Sequence, residues 1–173
     1  PNLSWIKIVD PPPENLFPNQ QIIGRIYHEE GRDNALITRG ASGAEEYFTQ
    51  CLPIYNQSPH ILIWEAANEP PVGTVEQRSA LSTFTLRWIE LIHDEGLQAA
   101  ALSLSVGWPD IGTTWEFADV AIATDYLSLH EYSAPRMQDN YGYYCLRYRN
   151  TAKELAEVGV AMPKTFITEA GID

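Results

Sequence analysis

The chain has 173 residues, 45% of them hydrophobic and 20% charged, a balance that fits one domain with a real core and excludes a disordered or fibrous chain. Eleven lysines and arginines face 23 aspartates and glutamates, so the net charge is -12, which repels nucleic-acid phosphate in the absence of a basic patch. The most basic stretch, residues 136–149, is interleaved with tyrosines and reads as loop and helix surface. No apolar run approaches the roughly 18 residues of a membrane span, and the first residues lack a basic-then-apolar signal pattern.

In chain order, the first apolar segment is WIKIVD at 5–10, followed by a PPPENLFPNQ stretch too rich in proline for a full helix and expected to cross over irregularly. QIIGRIY at 21–27 is the second candidate strand. Gly40-Ala41-Ser42-Gly43 reads as a turn into a helix, with Ser42 and Glu45 at capping-box spacing. HILIWEAANE at 60–69 is the third strand, with Trp64 deep in it as a core residue. Thr74 and Gln77 repeat the capping-box spacing, and Leu81, Phe84, Trp88 and Leu91 then fall on one helical face until Gly96 stops the helix. QAAALSLSV at 98–106 and DYLSLHEY at 125–132 follow, then a helix over about residues 143–158 ended by Gly159, and KTFITEAG at 164–171.

Apolar segments alternating with amphipathic ones are the pattern of βα units around a parallel sheet, and several of the six strands are apolar on both faces, as strands covered by helices must be. The whole of 1–173 reads as one domain without repeat or linker. Cys51 and Cys145 lie in separate helical patterns without metal-ligand spacing and read as two buried thiols rather than a disulfide, which leaves the redox compartment open.

Two carboxylates end apolar strands: Glu69 closes ILIWEAANE and Glu169 closes TFITE. In parallel α/β barrels active sites are built at the carboxyl ends of strands. A carboxylate placed there is poorly solvated, so it must be paired, hydrogen-bonded or protonated, and one of two such neighbours is expected to have a raised pKa. Period-two alternation sends Ser128, His130 and Tyr132 to one face and Glu131 to the other, where a structural role is expected. Trp108 follows the 98–106 strand, where an aromatic can either stack on a sugar ring or pack in the core. No HExxH, carboxylate-histidine metal spacing or phosphate-cradling glycine loop is present, so no metal or cofactor is implied.

WEAANEP, with Asn68-Glu69-Pro70, followed by LSLHEY and then FITEAG with Glu169, resembles the clan A glycoside hydrolases. In that clan the acid/base glutamate follows an asparagine at the end of strand four, a histidine or tyrosine ends strand six, and the nucleophile ends strand seven. The resemblance implies a (β/α)8 TIM barrel, here incomplete, with strands two to seven present and strands one and eight missing. It also implies a retaining hydrolase of β-glycosidic bonds in an oligo- or polysaccharide, with Glu69 as acid/base and Glu169 as nucleophile. Asn68 would bind the sugar hydroxyl beside the reacting carbon, and His130 and Tyr132 would contact substrate or hold Glu169 ionised. Arg25, with Tyr27 and His28, stands where clan members place polar sugar contacts.

The expected partner is carbohydrate, a neutral polysaccharide being compatible with the acidic charge, with no nucleic acid and no membrane. The six strands leave a wedge between 5–10 and 164–171, and apolar edges there would invite self-association. Localisation is open, extracellular if the parent protein carries a signal peptide. The rival of another class is a catalytically inactive carbohydrate-binding or structural barrel that has kept its glutamates. A barrel lyase or aldolase would want a Schiff-base lysine, and Lys7 sits mid-strand with no partner in sight.

Overall fold

Among the described residues six parallel strands form one sheet in the order β1 to β6, each paired with its sequence neighbours: β1 Trp5–Val9, β2 Gln21–Arg25, β3 Ile63–Glu65, β4 Gln98–Leu104, β5 Tyr126–Tyr132 and β6 Lys164–Gly171. The computed structural model describes residues 4–29, 31–137 and 142–172. Between the strands run α1 (Arg32–Ile37), α2 (Ala41–Gln57), α3 (Val75–Asp94), a 3-10 turn (Thr114–Phe117) leading into α4 (Ala118–Ala123), and α5 (Tyr148–Glu157). The result is an α/β fold whose sheet curls into a nearly closed barrel, as an incomplete TIM-like barrel would. The first crossover, residues 10–20, contains no helix, as its prolines dictate.

Alternation sorts the strand residues onto two faces. Ile22, Trp64, Ala99, Ala101, Leu127 and Leu129 face outward into the main core, against Tyr47, Phe48, Cys51 and Tyr55 of α2 and Leu81, Phe84, Trp88 and Ile92 of α3. Trp64 is fully buried and its indole N–H donates to the Ile61 carbonyl at 3.1 Å. Its neighbour in register is Gly24, where a Cβ would come within 2.6 Å of the Trp64 ring. Only glycine lets the indole lie there.

The curl brings the two ends of the sheet face to face. The Trp5 ring of β1 meets Phe166 of β6 at 4.9 Å between centroids and Tyr126 of β5 at 6.3 Å. Among the described residues β1 and β6 are not paired with each other, and they stand as the sheet's edges. Val9 is 41% and Ile167 38% exposed, whereas the central strands β3 and β4 are buried almost throughout.

Helix boundaries differ from the sequence reading in two places. The Thr74–Gln77 capping box forms in both directions, but Ser42 and Glu45 do not make one. Gly40 is the residue before α2, the Ser42 hydroxyl donates to the Arg39 carbonyl at 3.2 Å, and Glu45 pairs with Arg87 at 3.0 Å. The last helix starts at Tyr148 rather than near 143, because Leu146 takes a left-handed φ of 59° and the N–H groups of Leu146 and Tyr148 donate to the Glu131 carboxylate. Glu131 thus has the structural role that its face implies. Arg147, expected on the surface, is buried with its guanidinium over the Tyr143 ring, and burial lowers its pKa. Cys51 and Cys145 are both free and buried, and burial pushes the Cys51 thiol up to about 12.

The tightest constraint on the helices is where α1 ends against α2. A Cβ at Gly43 would lie 1.8 Å from the Leu36 carbonyl oxygen, a backbone atom that no rotamer change can move aside. Gly43→Ala should therefore lower the unfolding free energy in urea by about 1–3 kcal/mol, the usual cost of overpacking. Exposed Ser42→Ala should stay within about 0.5 kcal/mol. Equal stability of the two variants would show that the α1–α2 approach is not tight.

Candidate active site

The inward face of the barrel is built in layers. At the amino ends of the strands lie Trp5, Ile23, Ile63, Ala100, Tyr126 and Phe166, an apolar plug. Two residues further along β1, β2, β3 and β5 the same parity brings in Lys7, Arg25, Glu65 and Ser128. Beyond them, at the carboxyl ends, stand His130 and Tyr132 of β5 and Glu169 of β6. Apolar packing thus closes one end of the barrel and charge fills the other.

Strict alternation would send Glu169 outward, because Phe166 points in. The register between β5 and β6 shifts instead: Leu129 pairs with Ile167 but His130 pairs with Glu169, which leaves Thr168 as an inserted residue. Both Thr168 and Glu169 then face inward, Thr168 reaching the Ser128 hydroxyl at 2.7 Å and Glu169 the residues of the mouth. Bulges re-aim side chains in this way next to active sites.

Glu169 accepts hydrogen bonds from three side chains. Its Oε1 accepts from Lys7 Nζ at 2.7 Å and from Arg25 Nη1 at 3.2 Å, and its Oε2 accepts from the Tyr132 hydroxyl at 3.0 Å. His130 Nε2 stands 3.6 Å from Oε1, too far for a hydrogen bond. Partial burial by itself raises the Glu169 pKa. The Lys7 hydrogen bond, the charges of His130 and Lys7 and the Tyr132 hydroxyl outweigh it and hold the carboxyl at about 2. Glu169 is therefore an anion at any ordinary pH.

Lys7 is the first residue that the sequence reading missed: it does have partners. Besides Glu169, its ammonium meets Glu65 Oε2 at 2.9 Å. Glu65, fully buried, also accepts from Ser128, so Ser128 spends its single O–H there and accepts in turn from Thr168. The signal was available, since a lysine and a glutamate inside apolar strands buried on both faces have to be paired.

Glu69 lies beyond the regular strand, which ends at Glu65, four residues earlier than the sequence pattern implies. It takes a left-handed φ of 45°, a conformation that costs a residue with a Cβ roughly 1–2 kcal/mol. Its N–H donates to the Ser103 carbonyl at 3.1 Å. Leu102 and Ser103 themselves have positive φ, where the β4–β5 register slips. Strain at two adjacent strand ends thus holds Glu69, as at many functional sites. The following loop is clamped by buried Arg78, which donates to the Val72 carbonyl at 3.1 Å and to both Glu116 oxygens at 2.9 Å.

His130 links the two glutamates. Its side chain is fully buried, and Nδ1 lies 2.7 Å from Glu69 Oε1. Ligand-type atoms of Glu69, His130 and Glu169 all fall within 4.8 Å of one another. A cation could in principle be held by such a group, but Glu169 Oε1 already takes two protein cations, which leaves little negative charge for a metal.

Of the remaining expected residues, Asn68 shares a cavity of about 320 Å³ with Arg25, Tyr27, His28, Asp33 and Glu69. His28 Nδ1 is 2.7 Å from Asp33, a pair the sequence did not single out. Tyr27 is 62% exposed. Trp108 is 45% exposed, hence not a core residue, and its ring lies along the loop at Gly73.

No protein-family model matches the chain, and no curated protein matches it. Among solved structures it is similar to a group II chitinase catalytic domain 2 from Ostrinia furnacalis, at 11% identity with a TM-score of 0.54, over 84% of this chain and 44% of that one. At this identity the likeness shows the fold. The chain spans less than half of the chitinase domain. Among the described residues no helix is long and apolar enough to cross a membrane.

The charge on Glu169 links folding to acid. A carboxyl lowered from an ordinary 4.5 to about 2 stabilises the fold fully above pH 4.5, and that contribution is lost as pH falls through about 2. Urea titrations across this interval should show stability falling more steeply for wild type than for Glu169→Gln, which has no such proton to take up. Parallel curves would show that Glu169 is not an ion held by its neighbours.

Proposed function

We propose that this site is that of a retaining O-glycoside hydrolase cleaving β-glycosidic bonds in an oligo- or polysaccharide by double displacement, with Glu169 as nucleophile and Glu69 as acid/base. The observation that carries the reading is the pairing of unlike carboxyls across one histidine. One oxygen of each lies within 4.8 Å of an oxygen of the other, and a short approach of the two carboxyl groups is what double displacement needs. A chitinase as structural neighbour agrees with a polysaccharide substrate.

The two environments suit the two roles. Glu169, ionised and fixed by Lys7, Arg25 and Tyr132, attacks the anomeric carbon. Its Oε1 accepts from both cations, whereas Oε2 accepts from the neutral Tyr132 hydroxyl and is the oxygen offered to the anomeric carbon. Glu69, the more exposed side chain at 36% against 26%, gives its proton to the departing glycosidic oxygen and later takes one from the water that cleaves the glycosyl ester. His130 Nδ1 orients it. Asn68 and Arg25 bind sugar hydroxyls along the cavity wall, and Trp108 offers an exposed ring for stacking at the rim.

Aryl β-glycosides and β-linked oligosaccharides, followed by proton NMR of the anomeric product, test the reading, with retention expected. Glu169→Gln should abolish turnover on every substrate. Glu69→Ala should cost about 10²–10⁴-fold on poor leaving groups and far less on activated ones, whose departure needs no proton. Equal loss on both kinds of substrate in a folded Glu69→Ala variant would remove the acid/base assignment. Sugar binding without turnover, in wild type and variants alike, would leave a carbohydrate-binding barrel.

A further inference from the structure

We propose that Lys7 is the positioning residue of the site and Glu65 its second counter-ion: the ammonium fixes Glu169 Oε1, and Glu65 keeps Lys7 paired whenever Glu169 gives up its charge. This rests on the glycosidase reading above and deepens it. The geometry is a chain across four strands. Lys7 Nζ lies 2.7 Å from Glu169 Oε1 and 2.9 Å from Glu65 Oε2, while Glu65 accepts from Ser128 and Ser128 from Thr168, the residue whose insertion turns Glu169 inward.

The need for Glu65 follows from the charge balance of the first displacement. The Glu169 oxygen forms a bond to the anomeric carbon, the glycosidic oxygen leaves with the proton from Glu69, and the carboxylate becomes a neutral ester. Lys7, only 11% exposed, would then be a buried cation without a partner, which costs several kcal/mol. Glu65, fully buried 2.9 Å from the ammonium, is the second carboxyl that stays beside it. When water, deprotonated by Glu69, splits the ester, Lys7 again has both carboxylates. Lys7 thus keeps a carboxyl partner while the charge on the other comes and goes.

The test reads Glu169 directly, by carbon-13 NMR titration of its carboxyl in glutamate-labelled protein, the resonance being assigned by its loss in Glu169→Gln. Lys7→Met should move the Glu169 midpoint up by about 1–3 pH units, the effect of removing an adjacent opposite charge. Glu65→Gln should leave it unchanged or lower it, since a nearby like charge goes and the ammonium turns wholly to Glu169. Loss of a merely structural contact would shift both variants in the same direction. A Lys7→Met midpoint equal to wild type, or a raised midpoint in Glu65→Gln, overturns the proposal. If Lys7→Met does not fold, Glu65→Gln decides alone by the same criterion. In turnover, the acid limb of kcat/KM should follow the NMR midpoint, with Lys7→Arg restoring it. Shifted midpoints without glycoside turnover in wild type would sink the glycosidase reading and leave the Lys7 geometry standing. Turnover with an unmoved midpoint would do the reverse.

Discussion

A lysine ammonium between two carboxylates inside a barrel is an expensive object, because each ion taken out of water loses several kcal/mol of hydration. The fold returns that energy only if the partners are held within hydrogen-bond distance, and here they come from different strands: Lys7 from β1, Arg25 from β2, Glu65 from β3 and Glu169 from β6. Satisfying these four side chains at once requires the sheet to curl until its first and last strands face each other. The apolar plug of Trp5, Tyr126 and Phe166 beneath makes the same demand by burial. Lys7 and Arg25 stand against Glu65 and Glu169 in the inner layer, with His130 beside them and Glu69 as the additional carboxyl at the rim.

The acidity of the chain is only partly a solvated surface. Several carboxylates serve as anchors for backbone N–H groups that strand ends and loops would otherwise leave unpaired. Glu131 holds Leu146 and Tyr148, Glu154 holds Gly112 and Thr114, Asp125 holds Ala99, and Asp10 holds Tyr27. Arg78 performs the converse task on the Val72 carbonyl. These ties lie largely among the loops that follow the strands, the end of the barrel that carries the glutamates. They brace the loops that carry the candidate site.

Departures from regular geometry gather at the same end. Glu69 has a left-handed backbone, Leu102 and Ser103 break the register of β4, and Thr168 is the extra residue of β6. Each departure aims or braces a glutamate that regular secondary structure would have placed elsewhere. Local rules fail most where a site has to be assembled, because strain there is offset by contacts that only the assembled site makes.

From its order of residues alone, the chain settles the alternation of strands and helices, the apolar faces that pack them, the Thr74 cap, and the two glutamates as carboxylates near strand ends. These follow from period, capping and burial, which act over a few residues. Tertiary structure decides the rest. The pairing of Lys7 with Glu65 and Glu169 spans 58 and 162 positions, the differences of their residue numbers, and no local pattern encodes such a distance. The inward turn of Glu169 depends on one inserted residue in a register that exists only once β5 lies beside it. The low pKa of that carboxyl depends on charges brought from β1 and β5. Local periodicity determines which face a residue prefers, whereas the charge a buried group can carry is set by whatever the fold brings within a few ångströms of it.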